Sequence, residues 1–266
     1  MNRTSKLFHF SFTIGVFFIL CACSTESDEE AIDKFPRLKF SLIDAPAVFD
    51  EVNIDIRQLQ VNFVETDDEK AKEWLDISDF NPVIVDILSL TNGKELTLVD
   101  RPMAFDYVDE IRLILGNMNY LLVNGDSSEL KIPSGEQTGI KIKLSQPIEA
   151  DNDYDFLLDF DASQSIKAAG NSGKYILKPV IRAKLKSKTG SISGKVLPAI
   201  RGVTAYAITG SDSVSTVTGD DGFFLIRGLD EGVYRVSVAY KERTLQKPSI
   251  QLYPGMIFNS GTFDFQ

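Results

Sequence analysis

The segment DNDYDFLLDFDAS, residues 151–163, concentrates the carboxylates most able to do chemistry. If Tyr154, Phe156, Leu158 and Phe160 face a core, Asp153, Asp155, Asp159 and Asp161 share the opposite face of one strand. Residues two apart on a strand face stand roughly 6–7 Å apart. Carboxyl pairs at comparable spacing serve glycosidases as acid and nucleophile or base. The same spacing arises on any solvated strand face, and no concave sugar site is legible beside it. Calcium is the milder alternative, because Asp151, Asp153 and Asp155 imitate the start of an EF-hand loop. Phe156 then replaces the required glycine and Ala162 the closing glutamate, so only a looser calcium site remains open. A structural role competes with both: Asp161, before Ala162 and Ser163, suits the cap of a short helical stretch, SQSIKAA.

Other chemistries are excluded by composition. The two cysteines, Cys21 and Cys23, and the one histidine, His9, all lie at the N-terminus. Residues 7–20 are mostly apolar, follow Arg3 and Lys6, and precede STESDEE. The run is shorter than the roughly 20 residues of a membrane-spanning helix, and matches the apolar region of a secretory signal. The string LCAC resembles a bacterial lipobox. That resemblance implies cleavage after Ala22, with Cys23 carrying a diacylglycerol and the acyl chains replacing a spanning helix. Ser24 is not the acidic residue that retains lipoproteins at the inner membrane. Glu26, Asp28, Glu29 and Glu30 resemble the acidic export signal of Bacteroidetes surface lipoproteins.

A mature chain from Cys23 would have no histidine and no free thiol. It would lack Ser-His-Asp and Cys-His nucleophilic sites, His- or Cys-ligated metals, and disulfides. Loss of Arg3 and Lys6 leaves 26 basic and 38 acidic residues, a formal charge of −12. So acidic a chain gains nothing from counterion release, which argues against a nucleic-acid partner. No phosphate-binding or dinucleotide glycine pattern is present, and no cofactor is implied.

The elements that must position these residues are strands. RLKFSLI alternates Leu38, Phe40, Leu42. VNIDIRQLQVNF alternates Val52, Ile54, Ile56 and then slips phase to Leu59, Val61, Phe63, which predicts a bulge. Asn124-Gly125 predicts a hairpin turn, and short helices are expected near 80–90 and 163–169. Asp44, before Pro46, is expected to bond nearby backbone in a turn. The fold class is mainly β, with two β-sandwich-like domains: a tether at 23–36, a first domain at 37–186, and a compact second one at 190–266. Trp74, Tyr206, Tyr240 and Tyr253 are candidates for stacking on glycans.

LIDAPAVFDEVNIDI, Trp74 with IVDILSL, IPSGEQTGIKI, LDFDAS and YILKPVIR resemble, in order and spacing, a bacterial domain-of-unknown-function family, number 4382. The resemblance covers residues 37–186, implies a lipoprotein or surface protein, and supplies no catalytic residues. Gly194, Val196, Thr216, Asp221-Gly222-Phe223, Gly228-Leu229, Gly232 and Tyr234 resemble the carboxypeptidase regulatory-like module, a transthyretin-type sandwich. Some of its relatives are carbohydrate-binding-like. These readings imply a non-enzymatic binding or assembly protein with a glycan or envelope-protein partner. The alternatives are a carboxylate-based glycan hydrolase and a structural subunit of a surface complex.

Overall fold

The computed structural model describes residues 35–44, 46–64, 74–133, 139–170 and 173–266. Cys23, the signal segment and the acidic tether lie outside the described residues. No described helix is long and apolar enough to cross a membrane. The fold is mainly β.

The first sandwich pairs two sheets. One orders β13 (Ile181–Leu185), β10 (Tyr154–Phe160), β1 (Arg37–Asp44) and β5 (Leu96–Pro102). The other has nine strands around β2 (Glu51–Val64) and β6 (Tyr107–Leu115). Leu38, Phe40 and Leu42 of β1 alternate into one continuous core with Tyr154, Phe156, Leu158 and Phe160. Val52, Ile54, Ile56, Leu59 and Val61 enter it from the opposing sheet. Phe40 stacks on Phe156 with ring centroids 4.9 Å apart, a favourable offset for aromatic pairs.

The phase slip is a bulge, since pairing with β6 shifts register between Ile56 and Gln58. Both Ile56 and Leu59 remain fully buried because the extra residue absorbs the slip. A second shift, between Asn62 and Phe63, left no mark on the alternation. Asn124 and Gly125 both take positive φ, at 53° and 83°, and join β7 (Tyr120–Val123) to β8 (Asp126–Lys131), as a type I′ hairpin requires.

Both expected helices are shorter than the pattern suggested. Residues 83–86 are a strand paired with β2, and only Ile87–Leu90 coil into a 3-10 turn. The second is a single turn, α1 (Ala162–Ser165), before a short strand from Ile166. Asp44 reaches a neighbouring strand end: its Oδ1 accepts the Ala162 N–H at 3.1 Å.

The second sandwich sets β14 (Gly190–Leu197), flanked by β17 (Phe223–Leu229) and β21 (Ile257–Asp264), against a sheet of β16 (Asp212–Val217), β15 (Thr204–Thr209), β18 (Gly232–Tyr240) and β19 (Arg243–Gln246). Ile192, Val196, Phe224, Ile226 and Phe263 meet Ala205, Ala207, Val236 and Val238 in a separate core. Gly222 turns the chain into β17 at φ +76°, and a Cβ there would sit 2.4 Å from the Val196 carbonyl oxygen. Only glycine meets both demands.

Candidate functional site: a charged cleft between the sandwiches

The outer face of β10 is not open to solvent. It meets the second sandwich, and Leu157 in its middle is 1% exposed. Leu157 lies between two cavities, lining both. One, of about 360 Å³, takes Asp153 and Asp155. The other, of about 410 Å³, takes Asp159 and Asp161 with Arg182, Lys184 and Arg227. The single solvated acidic face expected from the alternation is therefore divided in two, because a second core docks on it.

Three of the four aspartates are committed to structure. Asp153 accepts the Arg37 backbone N–H at 3.3 Å. Asp155 pairs with Lys186 at 2.9 Å. Asp161 caps α1, accepting from the Gln164 N–H at 3.0 Å and the Ser163 hydroxyl at 2.7 Å, and meets Arg182 at 3.3 Å. Among the described residues, no group of three or more acidic, His or Cys side chains could hold a metal ion.

Asp159 differs. Burial pushes its carboxyl up, the Asp161 charge adds to the rise, and Arg182 and Lys184 oppose it, leaving a pKa of about 6. Near neutral pH it can both accept a hydrogen bond and, in its protonated fraction, donate one. A carboxyl with a raised pKa in a cleft is a recognised mark of a functional position. It also carries a stability consequence. The folded state holds the proton more tightly than the unfolded state, where the pKa is 3.8. Stability should therefore fall as pH rises from about 4 to about 6. Asp159→Asn should remove that slope and raise stability at pH 7 by about 1–2 kcal/mol. Denaturant titrations at pH 4 and 7 test this, and an unchanged slope would refute it.

The basic groups of the cleft were not legible in the sequence. Lys184 bonds Asp230 at 2.8 Å and the Gly228 carbonyl at 2.9 Å. Arg227 of β17 reaches the first sandwich, bonding Glu95 at 2.6 Å and the Lys94 carbonyl at 2.7 Å. Glu95 also accepts from Lys39 at 2.6 Å. Burial alone would raise the Glu95 carboxyl, but the bonds from Lys39 and Arg227 outweigh it and hold the pKa at about 2. Asn92 adds two bonds, its N–H to the Thr216 hydroxyl at 2.9 Å and its amide to the Phe223 carbonyl at 3.1 Å. The cleft is thus the seam of a polar clamp.

The aromatic candidates do not form a platform. Arg112 lies 4.3 Å from the Trp74 ring centroid and Lys141 5.5 Å from it, so cations occupy the ring. Tyr240 meets Phe265 edge-on at 5.8 Å. Tyr206 stands on β15, and Tyr253 is exposed beyond β20 (Ile250–Leu252).

Comparison with known proteins found no match among curated sequences. Among solved structures the chain is similar to the Bacillus anthracis TIE protein, at 6% identity and a TM-score of 0.25, over 86% of this chain and 34% of that one. It therefore spans about a third of that protein's length. A fimbrial protein from Bacteroides ovatus aligns at 8% identity and a TM-score of 0.23, over 88% and 50% of the two chains. The minor pilin GBS52 of Streptococcus agalactiae aligns at 10% and 0.22, over 86% and 94%. TM-scores this low mark no shared fold, and those proteins' roles do not transfer. The family model described as a domain of unknown function, DUF4382, matches residues 36–179. That span is more than half of the chain and includes β1, β2, β10 and α1, so the chain belongs to the DUF4382 family.

Proposed function

We propose that the protein is a non-enzymatic lipoprotein of a Gram-negative envelope, acting as a binding or assembly module for a glycan or a protein partner. Cys23 carries the lipid, residues 23–36 form an acidic tether, and the domains at 37–186 and 190–266 form the body. The anchor lies in the outer membrane, on a protein exposed at the cell surface. The second domain is a carboxypeptidase regulatory-like module, a reading supported by the Asp221-Gly222-Phe223 turn and the Tyr234 core position. The observation that carries the non-enzymatic reading is the commitment of the cleft's charges to one another. Lys184 is spent on Asp230, Arg227 on Glu95 and Arg182 on Asp161. Hydrolysis of a glycosidic bond needs two available carboxyls across a fixed gap; with Asp161 and Asp230 paired, the cavity keeps Asp159 on β10 and Asp212 on β16, which stand on different sandwiches.

Cys23→Ala should shift the protein from the membrane to the soluble fraction and abolish labelling by a fatty-acid analogue. A variant that still sediments with membranes and still labels would end the anchor model. A panel of oligosaccharide substrates tests the rest: binding without turnover supports the module, whereas turnover lost in Asp159→Asn would replace it with a hydrolase.

A further inference from the structure

The outer face of β2 carries a buried ion pair outside the cleft. Asp55, at 1% side-chain exposure, accepts a hydrogen bond from Arg57 Nη2 at Oδ2, at 2.7 Å, and its Oδ1, which takes no hydrogen bond, lies 2.7 Å from Nε in an ion pair. The loop between β6 and β7 closes over the pair. The Met118 N–H bonds Asp55 Oδ2 at 3.2 Å, and the Asn119 side chain accepts the Asp55 N–H at 2.8 Å while donating to the Gly116 carbonyl at 2.7 Å. A Cβ on Gly116 would lie 2.0 Å from Asp55 Oδ2, so the loop approaches only because residue 116 has no side chain. Arg57 is the residue at the bulge, where the register against β6 shifts. Bulges of this kind re-aim side chains at functional positions.

Arg57 also lines a cavity of about 570 Å³, together with Asn117, Asn119, Glu129, Lys131 and Ile132. That volume falls within the roughly 300–1,000 Å³ of small-molecule sites. The Nη2 bond and the Nε ion pair to Asp55 hold the guanidinium in place and leave the Nη1 end as a pre-oriented donor. Its 36% exposure shows that it is not sealed in. Charge around the cavity is balanced, Arg57 against Asp55 and Lys131 against Glu129. The chain as a whole is acidic, with a formal charge of −10. The lining carries one carboxylate, Glu129, beside Arg57 and Lys131. Both cations are already paired, so an anionic ligand finds no unneutralised charge and a repelling overall field, whereas a neutral ligand rich in hydroxyls finds fixed donors and acceptors together.

We infer that this cavity is a binding site for a neutral saccharide, with Arg57, held by Asp55, donating to vicinal hydroxyls and with Glu129 and Asn117 completing the contacts. The inference deepens the binding role proposed above and places a site for it outside the cleft.

The test uses the full chain, in a detergent without a sugar headgroup, titrated with cellotriose, maltotriose, mannotriose and trigalacturonate. The readouts are the Arg57 Nε–H resonance and calorimetry. At least one neutral trisaccharide should move that resonance and the Gly116 amide. Its affinity should fall at least tenfold in Arg57→Lys, which keeps the charge and loses the fork. Glu129→Gln, an exposed change that leaves the ion pair intact, should weaken it several-fold. Lys184→Gln, in the cleft, should not. No response to any neutral trisaccharide, binding of trigalacturonate alone, or affinity indifferent to both Arg57→Lys and Glu129→Gln would overturn the inference. Lipid attachment is read separately, so failure here leaves the anchor model standing.

Discussion

Arg227→Ala is expected to uncouple the two sandwiches, turning one thermal unfolding transition into two. Arg227 is 12% exposed, Glu95 20%, and their bond is 2.6 Å long. Exposed ion pairs contribute about 0–1 kcal/mol. This one is largely shielded, is charge-assisted, and is joined by a second bond to the Lys94 carbonyl. Bonds to charged groups at such positions contribute about 1.5–3 kcal/mol, so a loss of about 2–3 kcal/mol follows. The loss falls on the seam, because each sandwich keeps its own core. The first sandwich should retain its midpoint while the second separates from it. Acid should mimic the substitution in the unaltered protein. Glu95 is ionised far below the ordinary carboxylate range, so its contribution is complete above about pH 4.5 and lost as pH falls toward 2. Calorimetry at pH 7 and pH 2.5 checks both statements. A single transition at an unchanged midpoint in the variant would contradict them.

The largest loss in global stability is expected from Phe156→Ala. Its ring lies flat against Phe40, inclined by 10°, and stacks with Tyr154 at 6.3 Å. It is 2% exposed, at the centre of a strand flanked on both sides. Removing a buried phenyl group costs about 3–5 kcal/mol through lost transfer energy and the cavity left behind. Val233→Ala, at an exposed site on β18, should change stability by no more than about 0.5 kcal/mol. Urea denaturation of the pair gives the comparison, and a Phe156→Ala loss below about 1 kcal/mol would show that the site collapses to fill the space.

The inward half of this fold was legible because strand periodicity is a local signal. YDFLLDF placed Tyr154, Phe156, Leu158 and Phe160 in the core, and the slip after Ile56 marked a bulge. The outward half was not. Whether Asp155, Leu157 and Asp159 meet water depends on a second core that begins some thirty residues later, and nothing in a two-residue period encodes that docking. The single leucine among those aspartates was the available hint. Asp55 and Arg57 were equally hidden, since polar residues alternating with Ile54 and Ile56 look like an ordinary solvent face. An acid and a base two apart, next to a phase slip, was the pattern that pointed to them. Helix length failed at 80–90 because Val83–Asp86 had a neighbour to pair with, and tertiary pairing overrode the local preference.

β1 pairs in parallel with β10 from Leu38 to Asp44 and antiparallel with β5 from Arg37 to Leu42. It is the first strand of the described body and sits inside its sheet, not at an edge. A pull on the chain ahead of Arg37 would enter along this strand and load both ladders in shear, so their hydrogen bonds would have to break together instead of unzipping one at a time. For a body held to a surface by its N-terminal segment, drag would be borne by the middle of a sheet.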